Sequence, residues 1–140
     1  MNLILINTPM KKLLITAFAA LALSGCGILV PKFDNIEYDR FVELTAAVQY
    51  VSLLCGQPIL VRDRTRVLVE KAKILDLYAT HRPAHKEIKE ITSLILANLK
   101  EMNTAYWRQP APSSAYCLGK LKIIEYSLKQ TLPAIGGLMQ

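Results

Sequence analysis

Few groups in this 140-residue chain are able to do chemistry: three cysteines at 26, 55 and 117, two histidines at 81 and 85, and scattered serines and carboxylates. His81 and His85 stand four apart, a spacing that lets two imidazoles share one metal when both lie on a single helix. Pro83 sits between them and marks a corner, so the expectation is two surface or helix-end histidines and no metal site. Ser52, Ser93, Ser113, Ser114 and Ser127 lack the Gly-x-Ser-x-Gly elbow that exposes a nucleophilic serine. Glu87 and Glu90 lie among Lys86 and Lys89 and read as a solvated helix face rather than a general acid and base pair. No glycine-rich phosphate loop is present. The pattern predicts no enzyme and no cofactor.

Cys26 is the residue whose neighbours say most. From Met10 the chain reads Met-Lys-Lys, an apolar run, then Leu23-Ser24-Gly25-Cys26, the three parts of a secretory signal in order. The apolar run is too short for a durable membrane span. Leu23 to Cys26 resembles the lipobox of bacterial lipoproteins. That resemblance implies a diacylglycerol thioether on Cys26, cleavage before it and acylation of the new amino terminus. In that family an aspartate after the cysteine retains the protein in the inner membrane; Gly27 stands here, which favours the outer membrane, on its periplasmic face. The resemblance covers residues 10 to 26 alone. Met1 to Pro9 places apolar residues where the charged start of a signal belongs, which makes Met10 the expected true start.

The expected organisation is a signal peptide over residues 1–25, a tether over 26–33, one helical domain over 34–135 and a tail over 136–140. Beyond Cys26, fifteen basic residues face eleven acidic ones, a net charge of +4 out of the whole chain's +6. The signs are mixed and no dense basic run occurs, which argues against nucleic acid as a partner.

Four helical segments must position whatever function the domain has. Asp34, followed three residues later by Glu37, resembles a capping box. Phe41, Leu44, Val48, Val51 and Cys55 then recur at spacings of three and four, until Gly56 and Pro58 stop the segment. Val61, Thr65, Leu68, Ala72, Leu75 and Ala79 form the second seam, from Pro58 to Thr80. Ile88, Thr92, Ile95, Leu99, Met102 and Tyr106 form the third, ending before Pro110. Cys117, Leu121, Ile124 and Leu128 form the fourth, with Ser113 or Ser114 as cap and with Pro133 and Gly136-Gly137 closing it. No segment alternates with period two, so the fold class expected is all-α, an up-and-down four-helix bundle.

In that topology the end of the first helix meets the start of the last, which brings Cys55 and Cys117 to one pole in a compartment that permits disulfides. Two buried free thiols are the alternative. Tyr106, Trp107 and Arg108 fall at the corner that shares this pole; the single Trp either anchors a partner or covers the end of the core. Arg62, Arg64 and Arg66, with Lys71 and Lys73, make the densest basic stretch, interrupted by Asp63 and Glu70. It reads as a solvated flank, with a headgroup or acidic-partner site as the alternative.

The function expected from these features is a lipid-anchored, non-enzymatic adaptor that presents its membrane-distal pole to another envelope protein. Small exclusion lipoproteins and secretion pilotins are similar in size and anchoring. A phage outer spanin, similar only as a short lipoprotein, and a carrier of an apolar ligand between helices are the alternatives. Nothing in the pattern sets an oligomeric state.

Overall fold

The computed structural model describes residues 33–82 and 86–136. The expected signal peptide, Cys26, nearly all of the expected tether, His85 and the tail from 137 lie outside the described residues. Within them the chain forms four α-helices, α1 (Asn35–Ser52), α2 (Pro58–Thr80), α3 (Lys86–Tyr106) and α4 (Ser114–Gly136), and no strand. The expected all-α four-helix bundle is the fold observed.

Each helix begins and ends where local chemistry dictates. The Asp34 carboxylate caps α1, its Oδ1 accepting from the amides of Ile36 at 2.8 Å and Glu37 at 3.1 Å. The α1 chain ends in a tightened turn, in which the Leu54 amide donates to the Val51 carbonyl at 2.9 Å. Pro58 occupies the first turn of α2, where its missing N–H costs nothing. Ser113 Oγ accepts from the Tyr116 amide at the start of α4. Pro133 differs from expectation, because α4 runs through it to Gly136. Ile135, buried beside Thr131 and Leu128 in the same seam, holds that last turn against the core and outweighs the lost backbone bond.

The four seams meet in one core. Phe41, Leu44, Leu68, Leu75, Leu99 and Leu121 are all buried to within about 1% of full burial. The expected seam of α3 is displaced at its start, where Ile88 is only half-buried. Three buried threonines occupy seam positions without stranding a hydroxyl. Thr65 Oγ1 donates to the Arg62 carbonyl at 2.9 Å, Thr92 Oγ1 to Asp76 Oδ1 at 2.9 Å, and Thr131 Oγ1 to the Ser127 carbonyl at 2.8 Å.

Polar contacts trace the order of helices around the bundle. Lys71 Nζ lies 3.1 Å from Glu43 between α2 and α1, and Ser93 Oγ donates to Asp76 Oδ1 at 2.7 Å between α3 and α2. Lys120 Nζ reaches Glu101 at 2.8 Å between α4 and α3, and Gln49 Nε2 reaches Glu125 at 2.8 Å between α1 and α4. Every helix therefore neighbours the next, and α4 closes on α1, as an up-and-down bundle requires. Among the described residues no helix is long and apolar enough to cross a membrane.

Candidate functional site

The two poles of the bundle carry different chemistry. At the pole where the chain enters α1, Asp34 does more than cap a helix. Its Oδ2 accepts from the Tyr78 hydroxyl at 2.7 Å and from Arg82 Nη1, and the same guanidinium lies 3.9 Å from the wholly buried Glu37. Burial pushes the Asp34 carboxyl upward in pKa. The hydrogen bond from Tyr78, the amides of Glu37 and Ile36 and the Arg82 charge outweigh that push and hold it below the ordinary carboxylate value. The hydrogen bond to Asp34 raises the Tyr78 hydroxyl in turn, with burial adding to it. These groups lock the start of α1 to the end of α2. His81 is exposed at this corner, and no cluster of three potential metal ligands occurs among the described residues.

The opposite pole holds the expected site residues. Cys55 and Cys117 form a disulfide with Cα atoms 5.6 Å apart, tying the turn after α1 to the first turn of α4. Both are buried. Tyr106, expected as a contact residue, belongs to the core: it ends the α3 seam, and its buried hydroxyl has no hydrogen-bond partner among the described residues. Burial raises its pKa, with Tyr116 nearby adding to the effect. Trp107 lies one residue beyond the seam and is 58% exposed. Arg108 is exposed and lines a small cleft with Glu101, Thr104 and Tyr116.

The arginine run and the Trp corner, far apart in sequence, are joined by the fold. The first turns of α2 lie beside the last turn of α3, so the Arg62 guanidinium sits over the Trp107 ring, 4.7 Å from its centroid. On the other side of α2, Arg64 lies 5.9 Å from the centroid of Tyr50, in the last turn of α1. Leu53, in the turn after α1, and Ile59, in the first turn of α2, are 81% and 68% exposed at the same pole. The signal available in sequence was topological: a residue four positions into α2 must stand level with the final residues of α3.

A second feature is a groove of about 320 Å³ between α3 and α4, in the half of the bundle nearer Asp34. Ile88, Ile91, Leu94, Tyr126, Thr131 and Ala134 line it. Its apolar surface continues over Ile123 on the outside of α4.

Comparison with known proteins finds no matching family model, no matching curated protein and no matching solved structure.

Proposed function

We propose that this protein is a lipid-anchored, non-enzymatic adaptor, held to the outer membrane of a bacterial envelope through Cys26 and contacting another envelope protein with its cystine pole. The observation that carries the reading is the half-exposed Trp107 ring under Arg62, with Leu53 and Ile59 exposed at the same pole. Large aromatic and arginine side chains are the commonest anchors of protein interfaces, and contiguous exposed apolar side chains mark interaction surfaces. The α1 helix begins nine residues after Cys26 in sequence, and its far end belongs to this pole.

The test pairs capture with stability. Trp107→Ala removes an interface anchor worth about 2 kcal/mol or more, roughly thirtyfold in affinity. Its cost to folding is small, on the order of 1 kcal/mol for one exposed cation–π contact and partial burial, against about 3 to 5 kcal/mol for a core aromatic. A protein co-purifying with the intact lipoprotein from solubilised membranes is expected to be lost from the variant while the melting temperature barely moves. Undiminished capture by Trp107→Ala would remove the basis of the reading.

A second reading, carriage of an apolar ligand, is favoured by the groove between α3 and α4. Native mass spectrometry of the protein purified from membranes distinguishes it, since a carrier retains a stoichiometric lipid and an adaptor does not.

A further inference from the structure

We infer that the segment docked at the cystine pole is an acidic polypeptide with apolar side chains interspersed, recognised by Arg62, Arg64 and Arg66. The inference rests on the adaptor reading and adds the chemistry of the partner. Three arginines stand within five consecutive residues of α2, with Asp63 the only carboxylate among them. Asp63 engages only the Nε of Arg62, at 3.3 Å. Arg64, Arg66 and Arg108 have no carboxylate partner among the described residues. Elsewhere on the bundle Lys71, Lys120 and Lys129 each sit on a glutamate within 3.1 Å, while Lys73, Lys89 and Lys100 have no ion pair among the described residues but are not grouped as these arginines are. Positive charge is thus left uncompensated where apolar side chains are also exposed.

The arginines are held as well as placed. A guanidinium resting on an aromatic ring loses less freedom on binding, and its planar fork matches a carboxylate with two parallel hydrogen bonds. Arg62 on Trp107 and Arg64 on Tyr50 flank the outer face of α2, where Ile59 and Leu60 are exposed. An occupant of this strip meets Arg62 and Arg64 at its edges and Ile59 and Leu60 between them, with Asp63 and Arg66 exposed on the same face. A polypeptide alternating carboxylates with Leu, Ile or aromatic residues meets both demands. A phosphate backbone supplies the charge alone; an anionic bilayer takes up both charge and exposed apolar side chains, and the liposome arm of the test separates it from a polypeptide.

The probe is a phage-displayed library of random peptides, selected on the full chain in detergent micelles. Enriched peptides are expected to be net acidic and to contain Leu, Ile or aromatic residues. Each exposed ion pair is worth up to roughly fivefold in affinity, so Arg62→Gln with Arg64→Gln should weaken a selected peptide by about tenfold or more. The loss should shrink as salt is raised, since these charges are exposed. Thermal melts establish that the double variant is folded, and Arg66→Gln alone, at an exposed position, gives a second reading of the same effect.

Neutral or basic selected peptides, no enrichment over an empty support, or acidic peptides indifferent to the arginine changes would overturn the inference. Liposomes containing phosphatidylglycerol are assayed in parallel. If they bind through the same arginines and no peptide is selected, the occupant is a membrane surface and the inference fails. Selected peptides that lose binding with Trp107→Ala but not with the arginine variants would refute the acidic chemistry and leave the adaptor reading standing. Peptides displaced only by Tyr126→Ala, on the opposite flank, would defeat both.

Discussion

Replacing Asp34 tests whether one carboxylate holds the start of α1 to the end of α2. Asp34→Ala removes the α1 cap, worth about 1 kcal/mol. It also removes the charged acceptor of the Tyr78 hydroxyl, worth about 1.5 to 3 kcal/mol, and part of the Arg82 pairing. These terms share one side chain and do not add fully, so the expected loss is about 3 to 4 kcal/mol. Asp34→Asn retains a capping oxygen and gives up only the charge, for a loss of about 1 to 2 kcal/mol at neutral pH. The folded carboxyl is depressed in pKa, so its contribution is complete above the unfolded value of about 3.9 and is lost as pH falls through the folded value. Urea denaturation of wild type and Asp34→Asn from neutral pH downward should therefore show a stability gap that is constant above about pH 5 and closes below about pH 4. Glu125 is also depressed, through its hydrogen bonds with Lys129 and Gln49, but it is common to both proteins and cancels in the difference. A gap that stays constant into strong acid would refute the claim that the Asp34 charge stabilises the fold.

The disulfide joins residues 62 apart in sequence, and the chain-entropy model assigns such a closure about 4 kcal/mol. Cys55→Ala with Cys117→Ala should therefore lower the melting temperature by about 15 to 30 °C, whereas a shift of a degree or two would show that the cross-link constrains little. Tyr106→Phe deletes a buried hydroxyl that has no partner among the described residues, so urea titration should find the variant equal to wild type or up to about 1 kcal/mol more stable. A clear destabilisation would mean that the hydroxyl is hydrogen-bonded. Cys26→Ser should leave an unprocessed precursor that takes up no labelled palmitate; label persisting on the variant would end the lipoprotein reading.

The four helices and their buried faces were legible in the sequence because the repeat of three and four is a property of each segment alone. Phe41, Leu44, Val48 and Val51, or Leu121, Ile124 and Leu128, identify a core face before any neighbour is known, and Asp34 and Pro58 mark where helices start. The Cys55 to Cys117 pairing was legible for a related reason: with Cys26 assigned to the lipid anchor, two cysteines remained at helix ends that an antiparallel closure brings together. The run of α4 through Pro133 was less so, since a local breaker is overruled only by burial of Ile135, a tertiary fact.

What the seams leave free is the rotation and level of one helix against the next, and those decide which side chains meet. Tyr106 and Trp107 are adjacent in sequence, yet the first closes the last turn of α3 against the core and the second, just past the helix, lies at the surface. Arg62 and Trp107, and Arg64 and Tyr50, come from different helices, and only their packing levels the start of α2 with the ends of α3 and α1. Tyr78, Arg82 and Asp34 converge for the same reason at the other pole. The sequence alone determined the elements, their inner faces and the cystine, because each follows from local periodicity or from elimination. The tertiary structure decided the two clusters, because a contact between helices depends on their relative placement, which no single segment encodes.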